Sequence, residues 1–373
     1  MSVTKWQKGM VRRWSMRALL VAAGLSAGAV FKPAPRAPLV LHAAPLPFAP
    51  TEFYISQVLD ERADRAAVAY LLPLSAPAAP QPVDLQGGGA AAIREFVRQS
   101  LPRNTALRPV TVRLQECVVR ETAAAGAPGR VEGRATVAMA FEWQRNGRTI
   151  PLTTYRGTAR YLRPAAQPGG TEPALQQALA DALRHLNAWV NREVNGNAKL
   201  ATALRVHTTD DVHPADDTLF YSSAQPLSLD DFRAEPRLTG RYAATVFPSF
   251  AYSARAQTVS GVLHLHLQMQ VFVVRSASWV RPTARTAYTL AHEQRHFDVV
   301  KLVAERFKRK VQPDSLTLDN YDARMQYQYL QSWWEMNRLQ EQYDAETGGG
   351  TNEAAQQRWN QRLDAELRAF GVK

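Results

Sequence analysis

The sequence predicts an α+β chain in two parts. A small α+β domain comes first, then a domain in which antiparallel strands lead into a motif-bearing helix and two further helices. Three observations carry this reading. Segments of period-two alternation recur between residues 53 and 161 with a single helical segment among them, and a second amphipathic helix closes the series. A polar stretch from Asn195 to Asp217 has neither period and separates that series from a second set of strands. From about residue 285 onward the apolar residues recur at helical spacing.

At the N-terminus Lys5, Lys8, Arg12, Arg13 and Arg17 precede the apolar run Ala18 to Val30, with small residues around Ala27-Gly28-Ala29. This is the order of a signal peptide over residues 1–30, and the run is too short for a comfortable membrane span. The residues after Arg12-Arg13 fit a twin-arginine signal poorly, so a general export signal is expected, with no stable span after cleavage. The mature protein is then extracytoplasmic, periplasmic or secreted. Removing those five charges takes the net charge from +12 to +7. That is ordinary for 373 residues, and a nucleic-acid partner is not expected. The one cysteine, Cys117, rules out an intramolecular disulfide, and no cysteine follows the apolar run as a lipid anchor would need. Cys117 lies in an alternating apolar run and reads as a buried strand residue.

Residues 31–50, rich in Pro and Ala, read as an extended leader. The first domain spans 51–197. Strands are expected at Phe53–Asp60 and Ala67–Leu74, then a Pro- and Gly-rich loop to Gly89 and a helix over Ala90–Leu101. Strands follow at Val110–Val119, Gly133–Trp143 and Ile150–Tyr161, the last two joined at Asn146-Gly147, a strong hairpin signal. Leu175, Leu179, Leu183, Leu186 and Val190, at steps of three and four, make Glu172–Val194 an amphipathic helix. No catalytic constellation appears in this half. In element order alone it is similar to small periplasmic lipoprotein-like domains.

A linker is expected over 198–220 and the second domain over 221–373. Strands are read at Ala243–Tyr252 and Gly261–Val274. In the latter His264 and His266 share the polar face, and a solvent-facing pair is preferred over a metal site. A helix over Arg285–Val311 follows. A second, Asp319–Glu346, carries Met325, Tyr329, Trp333, Met336, Gln340 and Tyr343 along a stripe expected to pack on the first. Gly348 to Gly350 break it, and Thr351 is expected to cap a last helix to Phe370.

The helix over 285–311 contains His292, Glu293 and His296, an HExxH pattern. Two histidines four apart project from one helical face and reach one tetrahedral ion, while the adjacent glutamate takes a proton from a water the metal holds. On the helical wheel Val299, Val300, Val303, Ala304 and Phe307 form one face, with Gln294, Asp298, Lys301 and Glu305 opposite. Leu302 is the exception. The motif falls on the apolar side, where two imidazoles and a carboxylate are costly to bury unless something pairs them.

The second half resembles an uncharacterised bacterial family of predicted secreted zinc-dependent proteases. The resemblance is carried by Asp230-Asp231-Phe232, Ala243-Ala244-Thr245, Ser278-Trp279-Val280, Ala291 through Asp298, Gln342 through Thr347, and Gln356 through Trp359. It covers about residues 221–370 and implies a secreted zincin-like hydrolase with His292 and His296 as zinc ligands and Glu293 as base. The family usually has a histidine after its Tyr-Asp-x-x-Thr segment. Here Gly348-Gly349-Gly350 stands in that place. Asp298 lies roughly 140° from the ligand face and is rejected. The third ligand is expected from the end of the second helix, Asp344 in preference to Glu346. The reading is an exported zinc metallopeptidase acting on a peptide or protein substrate. The alternative is a non-catalytic envelope binding protein with a degenerate zincin-like domain.

Overall fold

A computed structural model describes residues 36–74, 79–212, 215–237, 239–240 and 242–372. The expected signal peptide lies outside the described residues. The fold is α+β, with two separate clusters of buried side chains.

The first cluster forms between a six-stranded sheet and two helices. In chain order come β1 (Phe53–Asp60), β2 (Ala69–Leu71), β3 (Gln81–Val83), α1 (Gly89–Ser100), β4 (Arg108–Ala123), β5 (Arg130–Arg145), β6 (Arg148–Pro164) and α2 (Thr171–Glu193). The sheet runs β3-β2-β4-β5-β6, with β1 also paired to β4 in parallel. Asn146 and Gly147 both take positive φ (52° and 76°), the backbone a two-residue hairpin needs to join β5 to β6. Val112, Val119, Val137, Met139 and Phe141 from the sheet meet Leu175, Leu179, Leu183, Leu186 and Val190 of α2. Each such buried side chain contributes about 1.5–3 kcal/mol. Cys117 is buried among them.

Two expectations are corrected here. From residue 36 the leader is part of this body, because Leu39, Leu41, Ala43, Leu46 and Phe48 pack on the first core. Its backbone is tied down as well: Leu39 N–H donates to Asp84 O and Leu46 N–H to Ser100 O. The prolines signalled a linker, but the apolar residues between them bury like an edge strand. Within the loop expected between residues 75 and 89, β3 pairs with β2.

The second cluster forms between β7 (Ala203–Asp210), β8 (Thr218–Phe220), β9 (Ala244–Thr245), β10 (Pro248–Val259), β11 (Val262–Val274), β12 (Trp279–Val280) and helices α3 (Ala287–Lys310), α4 (Tyr321–Thr347) and α5 (Glu353–Ala369). The stretch expected to be a linker holds β7, which pairs in parallel with β11, and β8, which pairs antiparallel with its end. Only Leu204 and Val206 turn toward the core from β7, too few apolar positions to show a period. Leu265, Leu267, Met269, Val271 and Val273 of β11 face α3. The strand expected from Ala243 is divided: Ala244–Thr245 pair with β12, and β10 pairs with β11.

Thr286 caps α3 by accepting the Thr289 N–H, and Lys308, Arg309 and Lys310 close it, cations at the negative end of the dipole. Asn352, not Thr351, caps α5. Trp333, expected to pack on α3, is 42 % exposed. The two halves touch where Arg145 of β5 donates to Asp319 (2.5 Å) and to Ala201 O (3.0 Å).

The two-faced wheel expected for α3 is also corrected. Most of its polar side is buried as well: Gln294 is half-buried, and Asp298, Lys301 and Glu305 are all enclosed. Buried charges persist only when paired. Asp298 accepts from Tyr221 Oη and Arg295 (both 2.8 Å), and Lys301 reaches Asp210 and Glu305 (both 2.7 Å). The chain around Tyr221, β7 and α5 supply that cover. They are distant in sequence, so the wheel alone does not reveal them.

Candidate metal centre

The first turns of α3 place His292, Glu293 and His296 inside the protein, at 5, 4 and 9 % exposure. The end of α4 lies against this face and presents Asp344, whose side chain is 25 % exposed. His292, His296 and Asp344 form a group that could hold a metal ion, with one donor atom from each lying within 4.8 Å of the others. Asp344 Oδ1 is 3.0 Å from His296 Nε2 and 3.4 Å from His292 Nε2. A tetrahedral ion with bonds of 2.0–2.1 Å spaces its donors by about 3.3 Å, so the spacing fits.

The other ring nitrogens are held too. His292 Nδ1 lies 2.8 Å from Gln356 Oε1 on α5 and 2.9 Å from Tyr343 Oη. His296 Nδ1 lies 3.2 Å from Gln340 Oε1 on α4. An amide oxygen accepts from Nδ1–H, which leaves Nε2 free to ligate, the usual outer-sphere device in histidine metal sites. Tyr343 is fully buried, and its hydroxyl also contacts His292 O (3.1 Å) and Gln356 Oε1 (2.8 Å). Gly350 passes flat against the same ring: a Cβ there would meet His292 at 3.4 Å.

The charges are strongly coupled. Burial pushes the Glu293 carboxyl above the usual range; the His296 and His292 charges and the Val246 N–H, 2.8 Å from Oε2, pull it back without cancelling that. For Asp344 burial acts in the same direction, but the hydrogen bonds from His292 and His296 outweigh it and hold the carboxyl well below its ordinary value. Burial lowers His296, and the Asp344 bond with the Glu293 charge more than reverses this.

Of the residues singled out in sequence, Glu346 does not join the group. Its carboxylate accepts from Trp359 Nε1 (2.7 Å) and Gln342 (2.7 Å). Asp298 belongs to the network on the far side of α3. Gln340, Tyr343 and Gln356 were not foreseen as partners of the histidines. Gln340 carried a signal all the same, as the one amide in an otherwise apolar and aromatic stripe. An open cleft of about 640 Å³, lined by Arg237, Tyr242, Thr245, Phe247 and Trp279 among others, contains none of the four site residues. It adjoins them through Val246, whose N–H holds Glu293.

No protein-family model matches the chain, and no curated relative does. Among solved structures it is similar to a Xanthomonas campestris protein of the DUF330 family, at 12 % identity and a TM-score of 0.26, over 42 % of this chain and 95 % of that one. It is likewise similar to a minor lipoprotein from Acinetobacter baumannii, at 13 % identity and a TM-score of 0.19, over 38 % of this chain and 92 % of that one. A third is the rare lipoprotein B from Shewanella oneidensis, at 14 % identity and a TM-score of 0.19, over 37 % of this chain and 97 % of that one. These likenesses are too distant to transfer a function.

Proposed function

We propose that the second half is a zinc-dependent hydrolase of peptide bonds that works outside the cytoplasm. The observation that supports it best is the triangle of His292 Nε2, His296 Nε2 and Asp344 Oδ1, with both Nδ1 atoms held by glutamine oxygens. Two imidazoles and a carboxylate are a zinc donor set that leaves a fourth position open. His292, His296 and Asp344 would hold a divalent ion, which would supply Lewis-acid activation of a water and of a carbonyl. Glu293 is the proton acceptor. Its burial raises its affinity for a proton, and the Val246 N–H fixes one oxygen so that the carboxylate does not swing. Peptides are preferred over esters or sugars because HExxH sites commonly serve that reaction. The extracytoplasmic location rests on residues 1–30.

Glu293→Gln tests this reading. An amide cannot accept the proton, so the variant keeps its zinc, measured by elemental analysis, and loses peptide hydrolysis by about 10²- to 10⁴-fold. Hydrolysis at the wild-type rate refutes the role of Glu293. A second reading, a non-catalytic envelope binding protein, is supported by the glycines where the resembling family has histidine and by the cleft that excludes the site residues. A wild type that binds zinc tightly but cleaves no peptide in a mixed library favours it.

A further inference from the structure

The sheet of the first half has one face turned away from α1 and α2, and charge is spread unevenly over it. In a single row Tyr70, Arg120, Arg134 and Arg160 lie directly opposite one another across β2, β4, β5 and β6. All three arginines are exposed. Two strand spacings put them within about 10 Å of one another. Like charges facing across strands cost stability. Two rows away the same face pairs its charges: Arg156 reaches over Ala138 to Glu116 at 2.7 Å. The arginine row is not balanced in this way. Arg134 donates to Glu132 (3.0 Å), and Arg120 lies over the Tyr70 ring, whose hydroxyl donates to Asp64. Arg160 has no acidic partner among the described residues. Three cations thus face two carboxylates.

The surroundings of the row are apolar. Leu162, on the same face in the next row, is 50 % exposed. Beyond it lie the turn after β4 and the segment after β6, residues 124–129 and 165–170, with no charged side chain between them. Ala165 N–H ties the two by donating to Gly129 O (2.8 Å). The chain also enters the body at this end. Arg36 donates to Leu72 O, which accepts from Arg163 as well (3.1 Å). The export segment expected over residues 1–30 therefore joins the protein beside this face. An exposed leucine and uncharged turns next to a row of guanidiniums suit a lipid surface. Apolar groups enter the headgroup boundary, and the planar forks of arginine pair with phosphates. A dissolved phosphate ion would make no use of Leu162.

We infer that this end of the first sheet docks on an anionic membrane, with Arg120, Arg134 and Arg160 on lipid phosphates and Leu162 at the acyl boundary. Among the described residues no helix is long and apolar enough to cross a membrane, so the contact lies on its surface. It shares no residue with the zinc reading.

The test is co-sedimentation of the purified exported protein with vesicles of phosphatidylcholine, alone or mixed equally with phosphatidylglycerol. The wild type binds the mixed vesicles, and salt releases it. One cation near a charged bilayer is worth about fivefold in affinity, so Arg120→Gln, Arg134→Gln and Arg160→Gln together cost about 10²-fold. Changing the exposed Arg94, Arg98 and Arg192 to Gln removes the same charge from α1 and α2, and affinity stays within about threefold of wild type. A polarity-sensitive dye on Leu162→Cys reports an apolar setting when mixed vesicles are added. All substituted side chains face solvent, so the variants fold, which circular dichroism verifies. Four results overturn the inference. The wild type ignores mixed vesicles; both triple variants lose affinity equally, a net-charge effect; or the dye at 162 stays in water while the protein binds. The fourth is release by inorganic phosphate beyond that by sodium chloride of equal ionic strength, which marks a site for the ion instead.

Discussion

Replacing Asp344 by alanine removes one of three donors while leaving both histidines and their glutamine partners in place. Structural zinc sites with four protein ligands hold their ion by about 10–16 kcal/mol, so one ligand is worth about 2.5–4 kcal/mol. At 1.4 kcal/mol per decade that is a 10²- to 10³-fold loss of affinity, read by competition with a chelating dye. Two comparisons sharpen the result. Gln356→Leu removes only the oxygen that orients His292, and its cost is about tenfold. Glu346→Ala leaves zinc affinity unchanged, since that carboxylate is engaged with Trp359 and Gln342. Asp344 is a quarter exposed, so the protein tolerates its truncation, and Asp344→His restores much of the binding by supplying another ligand. Zinc affinity within threefold of wild type in Asp344→Ala refutes the three-ligand assignment.

Two further predictions concern the first half. Burial pushes Glu121 up, but the Arg163, Tyr161 and Leu72 hydrogen bonds outweigh it and lower the carboxyl in the folded state. Its contribution to stability is therefore full above the ordinary glutamate value of about 4.3 and is lost as pH falls through the folded value. The urea midpoint of the wild type drops more steeply below pH 5 than that of Glu121→Gln, and Arg163→Ala, which strands a buried carboxylate, costs about 3–5 kcal/mol. Burial pushes the Cys117 thiol up to about 12, so alkylation at pH 8 requires the first core to open. Across a urea titration the Cys117 labelling midpoint stays fixed when zinc is added, while the half that carries His292, His296 and Asp344, stabilised by the proposed ion, resists to higher urea. A common shift of both shows that the halves unfold as one unit.

Much of this molecule was legible in its sequence. The meander from β4 to β6 showed itself because each strand alternates over many residues and Asn146-Gly147 marks a turn that few other pairs allow. The motif helix and Asp344 could be placed because helical spacing fixes which residues share a face. What stayed hidden depends on partners far along the chain. β7 is an edge strand with two core residues, and only β11, more than fifty residues later, makes it a strand. The polar side of α3 looked solvent-facing because Asp298 and Lys301 are charged, yet inside the protein Arg295 pairs with Asp298, Asp210 pairs with Lys301, and Tyr221 donates a hydrogen bond to Asp298. The outer partners of the histidines were hidden for the same reason: Gln340 and Gln356 lie 44 and 64 residues beyond the rings they hold.

The glycine run bears on whether the histidine missing from Gly348 to Gly350 marks a lost site. All three glycines take positive φ, at 61°, 63° and 90°. A side chain at such a position costs roughly 1–2 kcal/mol, so a histidine there would strain this turn. The turn has its own task. Gly348 ends α4 in the left-handed conformation, and the chain reverses within a few residues so that α5 returns with Gln356 against His292. Meanwhile α4 meets the motif helix with Gln340 and Asp344, one turn apart, on His296 Nδ1 and Nε2. Every donor and every orienting amide thus stands on a helix, and none depends on the loop. With Asp344 on the last turn of α4 beside both histidines, the residues after it are free to be glycine, and glycine is what the tight return of α5 requires. Asp344 belongs to the Tyr-Asp-x-x-Thr segment shared with the resembling family, so the group of His292, His296 and Asp344 is complete without a histidine at Gly348 to Gly350.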